Sequence, residues 1–266
     1  MEWGFLVAGL FVGFMVGMTG VGGGSLMTPI LIFGFAIHPA IAVGTDLLFA
    51  AITKAGGIWS YWRHGVINWT VVKRLGMGSI PATFATLWLL TFIGVDEGQH
   101  TDLITTALGL ALILTSSALL LKGYITDLLQ ARSGHPVVSA LYRLRQDEQH
   151  KALATVLTGI FLGVMVTMSS VGAGALGAVT LLFLYPRMKG VEIIATDIAH
   201  AVPLTAIAGL GHSAVGTVDW SLLSFLVMGS LPGIYMGSHF GVKISDRVMR
   251  KILAILLLLV GIKCLL

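Results

Sequence analysis

Eight apolar stretches, set apart by short polar connections, leave this chain one solvent in which all of them can be buried at once. Stretches of about 17 to 25 apolar residues suit a helical crossing of a bilayer, and residues 40–62, 75–93, 103–121, 193–213, 221–241 and 251–266 fit that description. Two others, 4–37 and 152–184, are too long for one crossing. Each is interrupted near its centre by glycines, GMTGVGGGS at 17–25 and SSVGAGA at 169–175. Asp, Glu, Lys and Arg make up 11% of the 266 residues, where a soluble domain carries about 25%, so a water-soluble globule of this size would lack the polar surface it needs. The expected fold is an all-α polytopic membrane protein.

The basic residues give the topology, because short cytoplasmic loops hold the positive excess. Arg63, Lys73 and Arg74 form one group, and Lys122, Arg132, Arg143, Arg145 and Lys151 flank the long central loop. Arg187 and Lys189 form a third group, and Lys243, Arg247, Arg250 and Lys251 a fourth. The connections at 94–102 and 214–220 carry Asp96, Glu97, Asp102 and Asp219 instead. With all four basic groups in the cytoplasm, the central loop lies inside and both termini outside. This is self-consistent only if each broken stretch returns to the side it entered from or crosses twice.

The two halves are copies. Residues 13–33 laid over 163–183 match at ten of 21 positions, including Gly22 on Gly172, Gly24 on Gly174 and Phe33 on Phe183. One residue out of step, the match resumes with Thr45-Asp46 on Thr196-Asp197, Trp69 on Trp220 and GSIP at 78–81 on GSLP at 229–232. Each copy is a broken helical hairpin, re-entrant or made of short crossings, followed by three transmembrane helices. Three is odd, so the second copy starts on the opposite side and the repeats are inverted, a secondary-transporter signature. The domains expected are an N-terminal repeat at 1–122, a cytoplasmic linker at 123–151 and a C-terminal inverted repeat at 152–266.

At a glycine break the freed backbone groups must face protein or a water-filled cavity. The helix arm that follows turns its first N–H groups and positive dipole end into that cavity, which favours an anion. The substrate-binding residues expected are therefore Gly20, Gly22, Gly23, Gly24 and Ser25 with Ser169, Ser170, Gly172 and Gly174. Glycines spaced by four, at 9, 13 and 17, at 159 and 163, and at 229, 233, 237 and 241, read instead as helix-packing stripes. The last of these ladders would serve a homodimer as easily as an internal crossing.

Ionisable residues inside spans are costly and mark functional sites or partners. Lys54 lies near mid-span and has Thr205 as its repeat equivalent, so it offers one fixed positive charge to an anion; pairing with Asp46 or snorkelling is the alternative. Asp46 and Asp197 suit proton relay or gating, or helix-end capping. His200 joins that group. Three residues from Asp197, it could share a metal with it, although two ligands make no site. His212, near a span end, reads as interfacial. No cofactor or bound metal is expected, the single cysteine, Cys264, forms no disulfide framework, and no basic stripe suits nucleic acid. The partners expected are a small-molecule anion and the lipid bilayer.

The break GMTGVGGGS, its weaker copy SSVGAGA, the two Thr-Asp pairs and Trp220 before GSLPG together resemble the sulfite exporter TauE/SafE family of membrane permeases, the 4-toluene sulfonate uptake permease group, over essentially the whole chain. The resemblance implies transport of sulfur-containing anions such as sulfite, thiosulfate or organosulfonates across a prokaryotic plasma membrane, the inner membrane in a Gram-negative cell. Gly23 becomes Ala173 and Ser25 becomes Ala175 in the second copy, which makes that cradle less polar. An inside-negative potential contributes about 2.3 kcal/mol per charge per 100 mV toward anion export, so export needs no coupled ion. A carrier of another solute or a metal cation is the alternative. So is an intramembrane serine hydrolase using Ser25 or Ser170 with His200, although no nucleophile-base spacing supports one and no enzyme activity is expected.

Overall fold

A computed structural model of the chain describes residues 2–19, 24–92, 97–130, 148–241 and 246–265. Every regular element among them is helical. The first copy supplies α1 (Glu2–Thr19), α2 (Gly24–Pro29, continued by a π-helical turn over Ile30–Gly34), α3 (Pro39–Arg63), α4 (Trp69–Phe92) and α5 (Glu97–Gln130). The second supplies α6 (Glu148–Ser169), α7 (Leu176–Leu184), α8 (Gly190–Ala214), α9 (Trp220–Gly241) and α10 (Asp246–Leu265). Among the described residues six helices are long and apolar enough to cross a membrane: α3, α4, α5 over Leu103–Leu121, α6, α8, and α9 over Trp220–Gly237; the expected span at 251–266 falls on α10, whose described apolar run, Leu253–Leu265, is shorter.

The second stretch breaks where its glycines put it, and in both stretches the described arms are unequal. At about 1.5 Å of rise per residue, the nine residues of α7 reach about 13 Å, under half the roughly 30 Å hydrocarbon core. The arm of α2 and its π-helical turn is similarly short. By contrast α6 has 22 residues, enough for a crossing, because it extends past the apolar run onto Glu148 and Lys151. Neither second arm is long enough to be a complete crossing.

Each hairpin closes at its open end. The hydroxyls of Thr155 on α6 and Tyr185, just past α7, lie 2.8 Å apart. At the matching positions of the first copy the rings of Phe5 and Phe35 pack with centroids 4.9 Å apart. Beside Tyr185 stand Arg74, whose guanidinium donates to the tyrosine oxygen at 3.3 Å, and Lys151, paired with Glu148 at 2.5 Å. Residues from two of the four basic groups thus gather at the mouth of the second hairpin.

The packing repeats residue by residue. Helix α1 runs along α9 and α6 along α4, while α3 packs on α8 and α5 on α10. A side chain at Gly9 or Gly13 would strike the carbonyl of Leu226 or Ser230; one at Gly159 or Gly163 would strike that of Leu75 or Ser79, the repeat equivalents. The ladder Gly229, Gly233 and Gly237 presses on the α1 carbonyls of Leu6, Leu10 and Phe14. These three glycines serve an internal crossing. Van der Waals contact of this kind, possible only for small residues, is what holds helices together where lipid removes the hydrophobic drive.

The paired threonines are also matched. Thr45 accepts the N–H of Asp219 and Thr196 that of Asn68, both at 3.0 Å. Asp219 and Asn68 in turn cap α9 and α4, accepting from Leu222 at 2.9 Å and Val71 at 3.2 Å. These bonds tie the starts of α9 and α4 to α3 and α8, the two helices that carry the buried charges.

Candidate functional site

The second break is the better view of the site. Beyond α6 the backbone turns through left-handed conformations at Ser170 (φ 57°), Gly172 (φ 114°) and Gly174 (φ 120°), and α7 then begins at Leu176. The repeat equivalents of these positions are Gly20, Gly22 and Gly24, so every left-handed position of the second break is glycine in the first. Ala173, between them, stands where the first copy has Gly23 and needs no glycine because its backbone does not turn that way. Every residue of 169–173 is buried, as backbone without helical partners has to be in lipid.

Lys54 reaches this break. It is buried, and its ammonium donates to the Ala173 carbonyl at 3.0 Å. It does not snorkel. Asp197 and Asp46 both lie within reach of its charge. A middle position in α3 therefore places the one buried ammonium among the described residues on the peptide left open by the helix break.

Asp46 sits deeper in α3 than a cap would. One oxygen, Oδ2, accepts from the hydroxyl of Thr28 on α2, and Ser170 stands next to the carboxyl. No hydrogen bond of good geometry joins them, and Asp46 Oδ1 and Ser170 Oγ are both buried without a partner among the described residues. Asp197 lies against Gly177 of α7, where a side chain would collide with its carboxylate. The two aspartates thus hold matching places in α3 and α8 but meet different surroundings, because Thr28 is Ala178 and Ser170 is Gly20 in the other copy.

The remaining expected residues divide. Gly174 and Gly172 shape the break. Ser169 is consumed by its own helix end, donating to the Met165 carbonyl at 2.6 Å and accepting from the Val171 N–H at 3.2 Å. His200 pairs through Nε2 with Ser79 on α4 at 2.8 Å and lies within reach of the Lys54 charge. It borders a cavity of about 580 Å³ whose walls are mostly apolar, with Val72, Met77, Ile80, Pro203 and Leu204, and also include Lys73 and Ser79. Gly20, Gly22 and Gly23 lie outside the described residues, as does the side chain of Ser25; Gly24 and Ser25 begin α2.

His212 corrects the interfacial reading. It is buried, held by the Thr167 carbonyl at 3.0 Å and Thr217 Oγ1 at 2.9 Å, so it fastens the end of α8 to α6. Thr28 and Ser79 are the partners that sequence reasoning missed. The signal for Thr28 was present as a difference between copies, hydroxyl in one and methyl in the other.

The chain is similar to known proteins over nearly its whole length. The family model described as Sulfite exporter TauE/SafE matches residues 5–264. The probable membrane transporter protein YjnA of Bacillus subtilis is 37% identical over 258 residues, 97% of each chain. A second B. subtilis protein, the probable membrane transporter protein YdhB, is 24% identical over 86% of each chain. A probable membrane transporter protein of Methanocaldococcus jannaschii is 23% identical over 95% of this chain and 89% of its own. No solved structure gives a significant match.

Proposed function

The chain belongs to the sulfite exporter TauE/SafE family and is a multi-pass membrane transporter; from that premise we propose that its cargo is a sulfur-containing anion, sulfite or an organosulfonate, exported by alternating access. The observation that carries this reading is the Lys54 ammonium on the Ala173 carbonyl, a buried cation at a helix break. A carbonyl is a weak partner for an ammonium. An anion entering the break offers a stronger one, so Lys54 is poised to exchange a backbone contact for cargo.

The remaining parts support alternation. The two copies pack through equivalent surfaces, and we take them as inverted repeats that exchange conformations to open the site to either side. Gly172, Gly174, Ser170 and, by equivalence, Gly20, Gly22, Gly23, Gly24 and Ser25 line the passage. Asp46, Asp197 and His200 act in gating or proton relay around Lys54. Arg74 and Lys151, gathered at the mouth of the second hairpin, favour that mouth and the central loop in the cytoplasm of a prokaryotic cell. In that orientation the membrane potential drives an anion outward, by about 2.3 kcal/mol per charge per 100 mV.

The test is a flux panel. Purified protein in liposomes, offered sulfite, thiosulfate, sulfoacetate and sulfate under a clamped potential, should move at least one of the first three toward the positive side. Transport of a metal cation or a neutral solute in their place would overturn the assignment.

A further inference from the structure

The buried charges among the described residues do not balance. Asp46 and Asp197 are carboxylates and Lys54 is the single ammonium, so the cluster carries one negative charge too many for a low-dielectric interior, and an arriving anion would add to it. Lys54 lies within reach of both carboxylates but can balance only one, and Asp46 is the one with hydroxyls around it.

Its surroundings fit a proton. Ser170 stands next to the Asp46 carboxyl, and Asp46 Oδ1 and Ser170 Oγ are both buried without a hydrogen-bond partner among the described residues. A hydrogen on Oδ1 gives each of them a partner. A serine hydroxyl turned toward the carboxylate would also join the pair, but it would leave the excess charge in place. The hydroxyls of Thr28 and Ser170 both converge on Asp46, whereas the equivalents that would meet Asp197 are Ala178 and Gly20. Ser170 even holds a left-handed backbone that glycine would adopt freely, which keeps a hydroxyl where the fold favours none.

We propose that Asp46 and Ser170 form a proton-binding site, in which a proton on Asp46 Oδ1 is donated to Ser170 Oγ and leaves Lys54 balanced by Asp197 when cargo arrives. The groups that bear on this site are few. Lys54 comes from α3 itself, Asp197, His200 and His212 from α8, and the exposed Asp219 from the start of α9, its carboxylate turned to the Leu222 N–H. The described neighbours on α2 and the break are hydroxyls, and α5 offers no ionisable side chain over Leu103–Leu121. The role of this proton rests on the anion reading; its place does not.

Infrared difference spectroscopy of the purified chain tests it without any cargo. At neutral pH the wild type should show the C=O stretch of a buried protonated carboxyl. Asp46→Asn should abolish it and Asp197→Asn should leave it. Ser170→Ala should keep the band but move it to the frequency of an acid without an acceptor. A band absent from the wild type, unchanged by Asp46→Asn, or abolished when sodium replaces choline at fixed pH would overturn the site, the last in favour of a sodium ion. Should Asp46→Asn fail to fold, an unmoved band in Ser170→Ala overturns it equally. A flux panel that rejects sulfur anions would leave this band unaffected, so the two ideas fail separately.

Discussion

Thr155 and Tyr185, thirty residues apart, bring their hydroxyls within 2.8 Å and close the second broken hairpin at its mouth. Phe5 and Phe35 do the same for the first by ring packing, so one topological task is met by two chemistries. Removing the tyrosine hydroxyl should loosen the mouth but not the break. We expect Tyr185→Phe to cost about 0.6 to 1 kcal/mol, since it loses Thr155 and the 3.3 Å bond from Arg74. Thermal unfolding in detergent should show a midpoint lower by a few degrees with flux preserved, and an unchanged midpoint would mean that the contact is idle.

Glycines in this chain should divide sharply by what faces them. A side chain at Gly159 would strike the Leu75 carbonyl, so Gly159→Ala forces α6 away from α4 at a cost of about 1–3 kcal/mol. Gly56, on α3, has nothing within 4 Å of the added atom. There Gly56→Ala should be neutral or stabilising by up to about 1 kcal/mol through helix propensity. Parallel denaturation of the two variants checks the contrast, and equal effects would contradict the crossing.

The break should tolerate alanine at 173, which it already has, and reject it one residue later. Gly174 sits at φ 120°, where a side chain is strained, so Gly174→Ala should cost about 1–3 kcal/mol and depress flux with insertion intact. Ser170→Gly should act the other way on stability, gaining about 1 kcal/mol by relieving a left-handed serine. A stable Gly174→Ala with full flux would remove the break from the transport path.

The sequence alone was enough to place the spans at 40–62, 75–93, 103–121, 193–213 and 221–241 and the second break, because an apolar run and a glycine cluster are local properties of the chain. The 40–62 and 193–213 stretches became Pro39–Arg63 and Gly190–Ala214, lengthened mainly by capping and interfacial residues. What stayed hidden was partnership between distant segments. Nothing near His200 in sequence points to Ser79, 121 positions away, and nothing near His212 points to the Thr167 carbonyl. The length of α6 was hidden too, since a helix leaving the bilayer through Glu148 and Lys151 no longer looks apolar. The most informative residues proved to be those where the copies disagree: Thr28 against Ala178, Lys54 against Thr205, His200 against Phe49 and Ser170 against Gly20.

The central claim is that Lys54 holds the anion at the helix break. Its most direct test is sulfite and sulfoacetate flux through liposomes bearing wild type or Lys54→Ala, with folding of the variant verified by its elution and thermal midpoint. The ammonium reaches Ala173 from mid-span and is the single buried cation described, so the account predicts at least a tenfold loss of flux, equivalent to about 1.4 kcal/mol of lost interaction. Unchanged flux from a folded Lys54→Ala protein would contradict it.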